Sequence, residues 1–362
     1  MASVPELSDR ELRLARMRSQ RLLPGSGVTS VAAAAKAALT IQAQDVPAAT
    51  LAVRARTSGL NAEQARREAA GKTACRSWLM RNTIFLFASA DLAWMRPLLA
   101  PRPLAHAEKR LEALGGQPAA GLVLEALPKR LAQGPLHRDE LREMLAARGA
   151  EANEVFYWTV HAAALRGLLV VRPALEARAG FVAAEPGDEI GDREAALGKL
   201  ASRYLDAYGP ATADDFAYFF KMPKSDARLG WKGAGRTVEV ETERGAMTAL
   251  PAALKALPAG EPLVRLLGAY DHFLLGWRGR SLTVPERHQR KVHPGAGYIK
   301  ATAFLDGLAF GTWKLERSGD SLVVAVHPFG RLPRGAMPGL EREAAEIGRF
   351  FEAEAELQIV KS

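Results

Sequence analysis

Residues 77–88 read Ser-Trp-Leu-Met-Arg-Asn-Thr-Ile-Phe-Leu-Phe-Ala. β-branched and aromatic side chains flank a polar Arg81-Asn82 pair, the pattern of two strands joined by a tight turn. Three helical stretches precede it. Residues 8–22, SDRELRLARMRSQRL, begin with Ser8 followed three residues later by Glu11, a capping box. Residues 30–41 are Ala-rich, and residues 62–71 end on Gly71, a helix stop. Helices followed by a hairpin define a winged-helix pattern.

The pattern echoes twice downstream. Helices are expected at 121–133, 137–148 and 153–166, followed by strands in GLLVVRP and GFVAA. A third copy starts with a helix at 195–207. Thr212 then caps a helix, KSDARLGW supplies another, and RTVEVETER supplies a strand. From residue 263 short apolar runs alternate with Gly, Pro and Asp, which suggests a β-rich or β-barrel domain. The stretch 339–357 reads as a closing amphipathic helix. The expected fold class is therefore α+β: tandem winged-helix units over 1–115, 116–190 and 191–260, then a β-barrel-like domain over 261–362.

The 362 residues carry a net charge of +9, which points to an anionic partner. Nucleic acid is the first choice and an anionic membrane surface the second; a composition rich in Arg and Ala is the plain alternative. The excess is localised. Residues 1–100 hold 14 Lys and Arg against 7 Asp and Glu, and residues 261–300 hold 7 against 3. The single cysteine, Cys75, rules out an intrachain disulfide and a Cys-based zinc site, and cytoplasmic residence is the default expectation. The stretch Met1–Gln20 lacks the apolar core of a signal peptide, and no apolar run is long enough for a transmembrane helix.

Several segments carry a family resemblance in order: RLARMRSQRL at 13–22, Gln42-Ala43-Gln44, RSWLMRNTIFLFASADL at 76–92, GPATADDFAYF at 209–219, LLGAYDHFLLGWRGR at 266–280 and VHPGAG at 292–297. Together they resemble the bacterial winged-helix DNA glycosylases of the AlkZ/YcaQ type over nearly the whole chain. The resemblance implies winged helices and a β-barrel around a DNA channel, and monofunctional excision of N-alkylpurines from double-stranded DNA by a monomer. It also implies that relatives unhook interstrand crosslinks or remove bulky guanine adducts made by antibiotics. Two departures stand in the hairpin. The family pattern R-G-T-[LI]-H is Arg81-Asn82-Thr83-Ile84-Phe85 here: Asn82 replaces Gly and still tolerates a positive φ, and Phe85 replaces His, so a polar group is lost from the wing expected to face DNA.

The chemistry fits Gln42 and Gln44 as catalytic residues. A purine alkylated at N7 is cationic and leaves without a strong acid. What remains is to place a water at C1′ and to stabilise an oxocarbenium-like sugar. A Gln amide offers one acceptor and two donors, so it can orient a water without acting as a base. Residues two apart share a face only on an extended segment, and Pro47 disfavours helix at Val46, so the pair is expected on an irregular or extended stretch. Asp45 is a nearby carboxylate with either an electrostatic or a capping role. Lys72, Arg76, Arg81, Asn82 and Thr83 are candidate DNA contacts on the first hairpin, as are Arg278, Arg280, Arg287, His288, Arg290 and Lys291 further on; a solvated face is the other reading for the cations. Trp78 is read as core or as a stacking wedge, with core preferred. Asp271-His272 is read as structural or as a DNA-backbone contact. A metal site at His288 and His293 is disfavoured, and no cofactor is expected. The competing functions are a non-catalytic winged-helix regulator and a lesion-shielding protein.

Phosphate contacts should dominate binding to unmodified duplex. Each neutralised phosphate is expected to contribute about 0.9 to the slope of log affinity against log salt. Titrations at several salt concentrations check this, and a slope near zero would remove the charge argument.

Overall fold

The computed structural model describes residues 4–187, 189–255, 257–258 and 260–360. The chain opens with β1 (Glu6–Leu7) and α1 (Asp9–Ser19). Ser8 and Glu11 close the expected capping box, the Glu11 carboxylate accepting the Ser8 N–H at 2.9 Å. Then come α2 (Val31–Ala37), β2 (Ile41–Gln42) and α3 (Val46–Arg56). The helix expected over 30–41 stops early, and Leu39 takes a φ of 62°. Pro47 does not turn the chain away from helix. It sits in the first turn of α3, where its missing N–H would have had no partner.

The next elements are α4 (Ala62–Ala70), β3 (Ala74–Met80) and β4 (Thr83–Ala88). The hairpin turns at Arg81 and Asn82, with φ of 58° and 51°, the double left-handed signature of a type I′ turn. The sequence reading assigned nothing to residues 89–113, which form α5 (Ser89–Leu99) and α6 (Pro101–Ala113). The second echo is α7 (Gln117–Leu131), α8 (Arg138–Ala146), α9 (Asn153–Leu165), β5 (Leu169–Arg172) and β6 (Gly180–Ala183). The third is α10 (Arg193–Tyr208), α11 (Ala213–Phe220), capped by Thr212 as expected, α12 (Lys224–Lys232), β7 (Val238–Thr242) and β8 (Met247–Ala249).

The hairpins do not stand apart as separate wings. Arg76 of β3 pairs with Val171 of β5, so the first two merge into one sheet of order β2-β4-β3-β5-β6. The third hairpin is joined by the N-terminus, with β1 parallel to β7.

The remaining elements are β9 (Val264–Leu267), α13 (His272–Leu275), α14 (Gln289–Val292), β10 (Thr302–Leu305), β11 (Leu308–Ser318), β12 (Ser321–Pro328), α15 (Ala336–Phe351) and β13 (Ala355–Ile359). The expected β-barrel is not formed. The strands make an open sheet of order β13-β12-β11-β10-β9. α15 fills the face on which a barrel would close, its Leu340, Ala344 and Ile347 packing with Leu266, Trp313 and Val324. The helix expected over 339–357 is also corrected. It ends at Phe351, Glu352 turns at φ 53°, and the last residues pair parallel with β12.

A buried carboxylate fastens this sheet to α3. Glu343 of α15 accepts from Arg54 at 3.0 Å, from Arg265 at 2.8 Å and from the Leu266 N–H at 2.9 Å. Burial raises its carboxyl, but the two guanidiniums outweigh that and hold it below the usual range. Glu343→Ala would strand two cations, Arg54 buried and Arg265 half-buried. It should cost about 3–5 kcal/mol in urea unfolding; a loss under about 1 kcal/mol would show that water replaces the carboxylate.

Candidate active site

β2 is a short edge strand laid against the first hairpin. Ile41 pairs with Leu86 and Gln42 with Phe85. The Thr40 hydroxyl donates to the Leu86 carbonyl at 3.0 Å, and the Ala43 N–H to the Ile84 carbonyl at 3.0 Å. Beyond Ala43 the chain bends, and the Asp45 carboxylate caps α3 by accepting the Ala48 N–H at 2.9 Å. Gln42 and Gln44 therefore flank the end of an extended segment, as their spacing requires. Both line one open cleft of about 1440 Å³. Gln44 is exposed and Gln42 is buried. The Gln42 carbonyl oxygen Oε1 is out of solvent contact and accepts no hydrogen bond. An unsatisfied buried acceptor costs on the order of 1–3 kcal/mol, so a donor brought against it would be bound favourably.

Behind the glutamines lies a buried polar chain. Both Asp271 oxygens accept from Arg56, at 2.8 Å each, and Arg56 also donates to Gln20 at 2.7 Å. Burial raises the Asp271 carboxyl, yet Arg56 outweighs that and keeps it below its ordinary value. Next to it, His272 is fully enclosed, and burial pushes its pKa down to about 3. The neutral ring is fixed in one tautomer. The Gln42 N–H donates to Nε2 at 3.0 Å. Nδ1 faces the Tyr208 hydroxyl at 2.7 Å, and that hydroxyl donates to the Ala38 carbonyl at 2.8 Å, so Nδ1 carries the proton. Of the two readings of Asp271-His272, the structural one describes these contacts.

The hairpin residues divide. Arg81, Asn82 and Thr83 line the cleft. Arg81 lies over the Tyr218 ring at 5.5 Å, and the Asn82 carbonyl accepts the Tyr157 hydroxyl at 3.0 Å, so the turn is braced on two sides. Arg76 lines the cleft but is buried. It donates to the carbonyls of Ala43 and Glu176, and desolvation lowers its pKa to about 10. Lys72 lies at the far end of β3, outside the cleft. Trp78 is half-buried among the apolar side chains of the second unit, with its ring edge-on to His161, and it also contributes to the cleft wall. Phe85, which stands where the family pattern has His, is 2% exposed and packs edge-on to His272.

Arg278, Arg280, Arg287, His288, Arg290 and Lys291 are not part of the cleft lining. Arg278 faces Asp214 at 3.6 Å, Arg287 donates to His288 at 3.1 Å, and Lys291 sits over Phe329. The VHPGAG loop that follows them does reach the cleft through Ala296 and Gly297. Sequence reasoning missed other residues that line the cleft: Arg138 and Arg142, with Tyr157, Tyr218, Lys221 and Tyr270. The i, i+4 spacing of the two arginines and the Phe-Tyr-Trp run at 156–158 were the available signals. Both guanidiniums lie over the Phe156 ring, at 5.2 and 4.2 Å. Among the described residues, Arg76, Arg81, Arg138, Arg142 and Lys221 have no carboxylate partner, and Asp45 is the one carboxylate in the lining.

An amide pair, an unsatisfied acceptor and unpaired cations in an aromatic cleft suit a site that acts on nucleic acid. The AlkZ-like DNA glycosylase family model matches residues 35–350, and the chain belongs to that family; it is a DNA glycosylase. An interstrand DNA cross-link repair glycosylase of Streptomyces sahachiroi is 28% identical over 330 residues, which cover 85% of this chain and 87% of that protein. The solved structure of the S. sahachiroi DNA glycosylase AlkZ superposes with a TM-score of 0.79 at 25% identity, covering 98% of this chain and all of that one. Among the described residues no helix is long and apolar enough to cross a membrane, and no cluster of His, Cys, Asp and Glu could hold a metal.

The buried imidazoles set a pH dependence. Burial lowers His272 to about 3, and His161 and His293 to about 4. Below about pH 6.5 the unfolded chain takes up protons that the folded chain refuses, so stability falls as pH drops from 6.5 towards 4. The urea midpoint should be lower at pH 5.0 than at pH 7.5, with net proton uptake on unfolding. A midpoint unchanged between those values would contradict the buried, neutral assignment.

Proposed function

We infer that this glycosylase hydrolyses the N-glycosidic bond of N7-alkylated purines in double-stranded DNA, acting as a monofunctional enzyme. The observation that carries the reading is a buried, unsatisfied Gln42 Oε1 on a residue that, with Gln44, lines one cleft. The two amides hold one water against C1′ while the cationic base departs. The unpaired arginines bind phosphates, and their guanidiniums work best where water is thinned by Trp78, Phe156 and Tyr157. Ion-paired Arg278 is a weaker phosphate donor than the unpaired cations of the cleft. We read each helix-and-hairpin unit as a winged helix, and the enzyme as a monomer.

Bulky adducts and interstrand crosslinks fall within the proposed range. The cleft is larger than the roughly 300–1,000 Å³ of an ordinary small-molecule site and is open to solvent, so an adduct or a tethered second strand can remain outside while the glycosidic bond is cut. A non-catalytic regulator or a lesion shield has no use for two amides in one cleft, and membership of a glycosylase family favours the enzyme.

Gln42→Ala and Gln44→Ala should each slow single-turnover excision of 7-methylguanine by roughly 10² or more, while DNA affinity stays within a few-fold. The double variant should lose less than the product of the singles, because both amides serve one water. Gln44→Asp should keep part of the activity, since a carboxylate also accepts from water. Wild-type rates in both folded alanine variants would remove the catalytic assignment.

A further inference from the structure

We propose that His272 is a positioning residue for Gln42: through Nε2 it fixes the backbone from which the Gln42 amide reaches into the cleft. The proposal rests on the catalytic reading of Gln42.

Three observations carry it. First, β2 is two residues long and is an edge strand of its sheet, so β4 holds it along one side only. On the other side the Gln42 N–H has His272 Nε2 as its acceptor, at 3.0 Å. That bond takes the place of a missing strand, and without it β2 has little to define its distance from the cleft. Second, the ring itself has no freedom. Nδ1 is held by the Tyr208 hydroxyl, and Phe85, Phe219 and Tyr208 pack around the imidazole at 5.8, 5.9 and 6.3 Å between centroids. Third, the backbone that carries His272 is anchored by its neighbour. Asp271 binds Arg56 through both oxygens and also accepts the Phe273 N–H at 2.9 Å. The chain Arg56, Asp271, His272, Gln42 thus runs from a fully buried ion pair to a cleft-lining residue whose Oε1 is buried without a hydrogen-bond partner. No group in it before Gln42 lines the cleft.

Two substitutions separate the two ring nitrogens. His272→Asn keeps a donor near Tyr208 but cannot reach the Gln42 N–H. His272→Gln places a carbonyl oxygen where Nε2 lies. Single-turnover excision of 7-methylguanine from a duplex is measured for each, together with duplex affinity, in the wild-type and Gln42→Ala backgrounds. His272→Asn should slow excision about tenfold or more with affinity kept within about twofold, since a misplaced group near the reacting centre costs rate before binding. His272→Gln should recover most of that loss. In the Gln42→Ala background His272→Asn should have no further effect, because it acts through Gln42. A wild-type rate for His272→Asn, or an equal fractional loss in both backgrounds, overturns the proposal. If His272→Asn does not fold, Tyr208→Phe makes the same test by removing the hydroxyl that holds Nδ1, and a rate unchanged there overturns it too. A wild-type rate for Gln42→Ala alone is a separate outcome: it removes the catalytic reading of Gln42 and the positioning role with it.

Discussion

The ion pair between Arg56 and Asp271 joins the end of α3 to the turn before α13, two segments 215 residues apart. Taking both charges out of water costs several kcal/mol per ion unless hydrogen bonding is complete. Here the carboxylate accepts two guanidinium bonds and a backbone N–H, Arg56 also reaches Gln20 and the Ala52 carbonyl, and of the guanidinium nitrogens Nε alone is left without a partner. Gln20 in turn donates to the Ala207 carbonyl. Four parts of the chain meet at this point, and the strand that carries Gln42 hangs from the residue next to it. The cleft wall formed by β2 and the wall formed by Tyr270 and Leu275 therefore share one anchor.

A second constraint is electrostatic. Several guanidiniums elsewhere in the fold find carboxylates, as Arg54 and Arg265 do at Glu343 and Arg203 does at Asp91, although Arg16 rests on the Trp277 ring and the Pro210 carbonyl. Inside the cleft they do not. Arg138 and Arg142 lean on Phe156, Arg81 on Tyr218, and Arg76 on backbone carbonyls. The aromatic faces hold the side chains in place without neutralising them, which leaves their charge available to phosphate. The same faces offer stacking surface, and a DNA strand presents both features together.

How much of this was legible in the sequence follows from the range of each interaction. The hairpin at 77–88 was legible because its turn chemistry is local: Arg81-Asn82 between apolar runs allows few alternatives. The caps at Ser8 and Thr212 were legible for the same reason. β2 was not, because two residues show no period. Pro47 misled because proline disfavours helix at the residue before it yet suits the first turn, and Val46 took the helical option. The barrel failed because alternating apolar runs specify strands but not closure, and residues 352–357 continue the acidic pattern of a helix although the chain turns at Glu352 and pairs as strand from Ala355. At the site, the Gln-x-Gln pair came from family resemblance and its spacing from backbone geometry. Arg138, Arg142 and Tyr218 went unnoticed because they come from the second and third units, and only the tertiary fold brings them into one cleft with the glutamines. The basic run at 278–291 was conspicuous in sequence but lies beside the cleft, not in its lining.

The proposed water-directing amide pair would release an alkylated base from duplex DNA. Product analysis with the wild-type protein, on a duplex carrying a single 7-methylguanine, measures this release. Free 7-methylguanine and an equal amount of abasic strand with its backbone uncut are expected. Tight binding with no base released, or strand scission accompanying release, would contradict the proposed role.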